Sequence, residues 1–138
     1  MSADHHQDCA RLSLISAFNN SEFARLLGME ITDAFDGYAR VTMDSDGKNN
    51  PHGVVHGGAI FALADQAFGI AANCGTTVSV AVSIHIQYIS SATGPLVAIA
   101  HRVAGNDRYS TFRVMVYEEE RIIAEFNGVA FQIRTPNS

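Results

Sequence analysis

At 138 residues, with 47% hydrophobic and 17% charged content, the chain has the size and composition of one globular domain with a sizeable core. Its net charge of −5 lacks the basic face that a phosphate backbone or an anionic bilayer requires, which excludes nucleic acid and membrane surfaces as main partners. Two cysteines, Cys9 and Cys74, without C-x-x-C spacing, indicate neither a disulfide framework nor a zinc site, and the absence of a basic-then-apolar leader sets the expectation of a cytoplasmic protein.

Residues 1–7 are polar and read as a disordered tail, with His5 and His6 solvated rather than metal-bound. Residues 8–18 have the spacing of an amphipathic helix with Leu12, Leu14 and Ile15 inward. Asn20 or Ser21 caps a second, short helix that ends at Gly28 and packs Phe23, Leu26 and Leu27. Residues 29–35 and 38–44 read as two strands around Asp36-Gly37, a hairpin signal. A polar loop, 44–49, then leads to the most informative stretch of the chain.

That stretch runs from Asn50 to Gly75. Pro51, Gly53, Gly57 and Gly58 forbid regular structure in its first half. The second half is Ala-rich and helix-forming, and Gly75 stands where a stop is expected. Ile60, Phe61, Leu63, Phe68 and Ile70 do not share one stripe, so the helix is expected to be buried all round, and it is too short to span a bilayer. Asp65 breaks the apolar pattern. Its neighbours one turn away are Phe61, Ala62, Phe68 and Gly69, none of which can pair with a carboxylate. An acid there is either held by backbone amides of a neighbouring loop or placed for chemistry. The helix start supplies the complement. Its first N–H groups have no internal partner, Gly57 and Gly58 let a ligand approach the backbone, and Asn50 and His56 add donors nearby. A carbonyl placed there would be polarised. Asp65 lies about 12 Å further along an ideal helix, too far for one helix to serve one substrate, so the two halves of a site are expected to come from different subunits about a two-fold axis.

Beyond Gly75 the chain is strand-rich. Residues 77–90 form a long β-branched segment in which Val78, Val80, Val82, Ile84, Ile86 and Tyr88 share one face and Ser79, Ala81, Ser83, His85 and Gln87 the other. Gly94-Pro95 and 105–107 turn the chain around a strand at 96–104, and strands at 108–117 and 121–133 follow. Gly128 marks a bulge or a close contact in the last of these. With no βαβ alternation, the reading is α+β: a curled antiparallel sheet around one buried helix, in a single domain over 1–138.

The Asn50-x-x-x-x-x-His56-Gly57-Gly58 motif, followed by an apolar helix carrying Asp65, resembles the hotdog-fold acyl-CoA thioesterases, most closely the PaaI-like branch associated with phenylacetate degradation, over residues 20–133. The resemblance implies hydrolysis of an acyl-CoA thioester, aryl or medium-chain, by a homodimer or homotetramer. It implies no metal and no cofactor, coenzyme A being part of the substrate. It assigns Gly57 N–H to the thioester carbonyl and makes Asp65 the general base or nucleophile. Asn50 and His56 assist, Gly58 and Ser83 are candidates for binding substrate, and Phe61 and Phe68 either line an acyl or aryl pocket or are plain core. Two departures stand out: Ala81 occupies the position of a strand Ser or Thr, so that either Ser83 substitutes or the third group is absent, and Ser90-Ser91-Ala92 replaces an Arg-Pro-Ala segment. Lys48, Arg102, Arg108 and Arg113 remain as candidates for coenzyme A phosphates. Rival readings are a non-catalytic acyl-CoA sensor, an acyl-thioester hydratase or dehydratase on the same fold, and a purely structural oligomer. His52 and His56 cannot form a helical metal pair across Gly53, and no Gly-x-Ser-x-Gly elbow is present.

Overall fold

The computed structural model describes residues 2–75 and 77–133, with side chains from residue 11 onward, so the side chains of His5, His6 and Cys9 lie outside the described residues. The elements in chain order are α1 (Ser2–Asn19), α2 (Glu22–Leu27), β1 (Met29–Phe35), β2 (Tyr38–Met43), α3 (Gly57–Asn73), β3 (Val78–Tyr88), β4 (Leu96–Gly105), β5 (Tyr109–Glu118) and β6 (Arg121–Ile133). These strands all pair antiparallel, in the order β1-β2-β4-β5-β6-β3. The α1 helix begins at Ser2 and takes in most of the segment expected to be a tail.

The sheet wraps α3, as the apolar composition of that helix demands. Along β2 and β5 buried residues alternate with more exposed ones, so each strand gives one face to the helix. Val41, Met43, Leu96, Ala98, Ala100, Phe112, Val114, Val116 and Phe126 form that inner face, all buried. From α3, Phe68 meets Phe112 edge-on at 5.4 Å between centroids and Phe126 at 5.7 Å, while Phe61 meets Phe126 at 5.6 Å. Burying a side chain such as Phe68 stabilises the fold by about 1.5–3 kcal/mol. The β1–β2 hairpin turns at Asp36-Gly37, where Gly37 takes φ +82°, and the Gly37 N–H donates to Ala71 O at 3.1 Å, which docks the turn on α3.

Several expectations need correction. The α3 helix is not buried all round: Ala62, Asp65, Gln66, Gly69 and Asn73 form a half-exposed stripe along it. Leu12 is 59% exposed, and it is Leu14, Ile15 and Phe18 that pack on the core. In α2, a turn and a half long, Phe23 and Leu26 point outward and Ala24 is the residue that is buried. The even-numbered face read along β3 is interrupted by a bulge between Ala81 and Ser83. Before the bulge, Ser79 and Ala81 line a cavity beside α3; after it, Ile84 and Ile86 pack against the core.

Gly128 is a close contact and not a bulge, since its pairing with Ile84 continues the ladder. A Cβ there would lie 2.9–3.1 Å from the Phe68 ring. Gly128→Ala is expected to cost about 1–3 kcal/mol by overpacking, read as a lower urea midpoint at unchanged slope.

Candidate active site

The loop before α3 is held from within. The Asn50 side-chain oxygen accepts from His52 N–H at 2.9 Å and Val54 N–H at 3.3 Å, and the Asn50 N–H donates to Val54 O at 2.8 Å. Gly53, at φ +82°, closes the turn by donating to Asn50 O at 3.0 Å. Two backbone bonds dock the loop on its neighbours: Val55 N–H to Ala92 O at 2.8 Å and His56 N–H to Lys48 O at 2.7 Å. Asn50 therefore spends its oxygen on the turn, and its amide NH2 has no hydrogen bond among the described residues.

His56 is the N-cap of α3. Its Nδ1 accepts from Gly58 N–H at 2.8 Å, which in the neutral ring places the proton on Nε2. Ala59 and Ile60 both donate to His56 O, at 3.0 and 3.2 Å. Of the N–H groups that open the helix, only that of Gly57 makes no hydrogen bond among the described residues. It stands at the positive end of the helix dipole as a free donor. Gly58 has its N–H occupied, and a Cβ there would crowd the imidazole at 3.0 Å.

Asp65 lies on the half-exposed stripe, eight residues along α3 from Gly57 and so about 12 Å away on helix geometry. Its carboxylate has no hydrogen bond and no ion pair among the described residues, so no loop amide holds it. Burial alone raises its carboxyl above the ordinary aspartate range. It opens on a cavity of about 210 Å³ lined by Phe18, Phe68, Gly69, Ser79, Ala81 and Ala130, among others. Of the sequence-predicted residues, Phe68 lines this cavity, while Phe61 packs partly buried in the aromatic core. Ser83 does not line it: it is exposed, beyond the bulge, opposite Val129. Ala81 does, so the wall position expected to carry a hydroxyl group is apolar.

Tyr88 was not singled out from the sequence. Its hydroxyl donates to Gly57 O at 2.9 Å, and no periodicity could have revealed a contact across 31 residues. Of the candidate phosphate ligands, Lys48 pairs with Asp44 at 2.9 Å, Arg102 with Asp36 at 2.8 Å and Arg113 with Glu125 at 3.3 Å. Arg108 is exposed and has no ion pair among the described residues. Burial pushes the Cys74 thiol up, which makes it a poor nucleophile. Among the described residues there is no group of three or more metal-ligating side chains and no helix long and apolar enough to cross a membrane.

An unpaired carboxylate of raised basicity and a free backbone donor are the two elements that attack on a polarised carbonyl needs, and one helix holds them about 12 Å apart. Comparison with known proteins gives the family. Residues 52–124 match the family model of the thioesterase superfamily. The chain is 29% identical to the acyl-coenzyme A thioesterase PaaI of Escherichia coli, over 84% of this chain and 86% of that protein. Among solved structures, the E. coli PaaI protein from the phenylacetic acid degradation operon superposes with a TM-score of 0.85 at 26% identity, covering 94% of this chain and 95% of that one. A variant of the phenylacetic acid degradation protein PaaI from Thermus thermophilus superposes at 0.77 with 32% identity, covering 82% of this chain and 100% of that one.

The raised Asp65 carboxyl has a consequence for stability. An acid whose native pKa lies above its unfolded one contributes stability in full below the unfolded value and loses it as pH rises through the native value. Asp65→Asn is therefore expected to unfold at higher urea than wild type at neutral pH. The gap should close below about pH 4, where both states hold the proton.

Proposed function

Since the chain belongs to the thioesterase superfamily, with PaaI-like hotdog relatives, we propose that it hydrolyses acyl-CoA thioesters to a free acid and coenzyme A. The observation that carries this reading is the pairing of one free helix-opening N–H, at Gly57, with one unpartnered carboxylate, at Asp65. The thioester carbonyl accepts from Gly57 N–H. Asp65 of the partner subunit takes a proton from water as the water oxygen bonds to the carbonyl carbon. The negative charge gathers on the carbonyl oxygen at the end of the helix dipole. Collapse re-forms the carbonyl, breaks the C–S bond and releases the thiolate, which takes the proton. Direct attack by the carboxylate, through an anhydride that water then opens, needs the same placement. Neither route requires a metal or a cofactor, and coenzyme A enters only as part of the substrate.

The two halves meet, in this proposal, across a homodimer built on β3. That strand is one of the two sheet edges, and it exposes Val78, Val80, Val82 and Tyr88, each 44–55% accessible. An edge of this length and apolarity is a template for strand pairing. Pairing two copies there extends the sheet and brings the two α3 helices side by side, which can set one Gly57 against the other Asp65. Two such dimers could assemble further into a homotetramer. The acyl group enters the cavity beside Asp65, where Phe18 and Phe68 favour an aryl or medium-chain group, and phenylacetic acid degradation, named for two of the similar structures, suits an aryl one. Asn50 acts by holding the loop, with its amide NH2 left for substrate or water, and His56 by presenting Nε2–H beside the carbonyl site. The setting proposed is the cytoplasm.

A mixing experiment tests both the chemistry and the division of the site. Gly57→Pro deletes the donor after a residue already extended at ψ 137°, with its ring pressing on Tyr88, which a Cβ there meets at 3.3 Å. Asp65→Ala deletes the base. Each homodimer is expected to lose about 100-fold or more in thiol release from benzoyl-, phenylacetyl- and hexanoyl-CoA. Co-refolding equal amounts should restore about a quarter of wild-type activity, because half the dimers are mixed and each holds one intact site. A mixture as dead as its parts would place both residues in one subunit's site. A wild type that binds but never turns over any thioester would make the protein a sensor.

A further inference from the structure

We infer that Tyr88 is a positioning residue for thioester hydrolysis, clamping the Gly57–Gly58 peptide so that the Gly57 N–H is aimed before substrate arrives. The inference rests on the thioesterase reading and assigns a residue that the motif around α3 does not contain.

The geometry is a two-ended grip. The carbonyl of the Gly57–Gly58 peptide accepts from the Tyr88 hydroxyl at 2.9 Å, and the N–H of the same peptide donates to His56 Nδ1 at 2.8 Å. Both polar ends of one peptide unit are thus fixed by side chains, one from β3 and one from the residue before the helix. The ring adds steric definition. A Cβ on Gly57 would lie 3.3 Å from Tyr88 Cζ and 3.4 Å from its Cε1 and hydroxyl oxygen, so the tyrosine occupies the space that glycine leaves bare. Two consecutive glycines otherwise give the backbone the widest freedom it can have. The Gly57 N–H belongs to the preceding His56–Gly57 peptide, whose carbonyl is already held by the Ala59 and Ile60 N–H groups at 3.0 and 3.2 Å, so the tyrosine acts on the donor by fixing the peptide on its other side. With the clamp, the donor is preorganised, which is the condition under which a backbone N–H stabilises a developing oxyanion.

The post that carries the hydroxyl is itself fixed. Tyr88 ends β3, pairs with Ala124 of β6, and is followed by Ile89 and Ser90, whose N–H groups both donate to Ile123 O, at 2.8 and 3.1 Å. The strand end therefore cannot swing, and the hydroxyl holds its place over the helix start. Tyr88 touches neither the reacting carbon nor Asp65 in this arrangement; it acts through Gly57.

The test is Tyr88→Phe, which keeps the ring and deletes the one hydrogen bond. Steady-state thiol release from benzoyl-, phenylacetyl- and hexanoyl-CoA is compared with wild type, together with urea unfolding, oligomeric state and amide exchange at Gly58. The expected result is a fall in kcat of about fivefold with KM nearly unchanged. The acidic limb of the pH profile, set by Asp65, should not move, and Gly58 N–H should exchange faster at an unaltered unfolding midpoint. Unchanged kcat in the variant, with wild type active, would overturn the assignment of Tyr88 alone. A raised KM at unchanged kcat would make the hydroxyl a substrate contact, and a loss matched by a fall in the unfolding midpoint would make it structural; either overturns positioning. A wild type with no turnover of any thioester would overturn the thioesterase reading, and the role given to Tyr88 with it.

Discussion

An apolar helix cannot stand in water, and this constraint organises the molecule. The seventeen residues of α3 include eight that are buried, spread around most of its circumference. A helix of that kind is stable only when something covers it on several sides. A flat sheet would cover one side; a curled sheet of six antiparallel strands covers most of it. The alternation along β2 and β5, the aromatic contacts of Phe68 and the bare backbone at Gly128 follow from the need to bring the sheet close to the helix.

The candidate site occupies the two places where that covering stops. At the N-terminal end, the helix presents backbone donors that no sheet can satisfy, and the fold disposes of all but one of them. His56 takes the Gly58 N–H on its ring and those of Ala59 and Ile60 on its carbonyl, which leaves Gly57. Along its side, the helix leaves a stripe open, and on that stripe sits Asp65. It is covered enough to raise its basicity and open enough to be reached from the cavity. The chemistry proposed for the protein uses both gaps, and each is a remainder of the packing problem.

Much of this was legible in the sequence. The glycines and proline before α3 mark a loop by backbone geometry alone, and an acid in an apolar helix is conspicuous by its cost. The hairpin at Asp36-Gly37 and the strands after the helix follow from turn chemistry and β-branching. What was not legible depended on three dimensions. The inward turn of Leu12, Phe23 and Leu26 was inferred from hydrophobicity; all three are exposed, while Leu14, Ile15 and Leu27 on the same helices pack on the core, so apolar character alone does not say which side of a surface helix is covered. The uniform face assigned to β3 assumed an unbroken period of two, which the bulge at Ala81 and Ser83 defeats. Ser83 was offered as a stand-in for a missing hydroxyl on that assumption, and the same bulge turns it outward. Tyr88 meets Gly57 only because an edge strand returns to the start of the helix.

The extra residue in β3 also makes that strand sensitive to length in a way its composition hides. One half of β3 lines the cavity, with Ser79, Val80 and Ala81; the other offers Ile84 and Ile86 to the core. Val82 is the hinge in this alternation, and losing it would exchange inside for outside in one half without altering any other amino acid. Divergence along this strand is therefore constrained as a reading frame is: identities can drift at many positions, but insertions and deletions at the bulge must come in pairs.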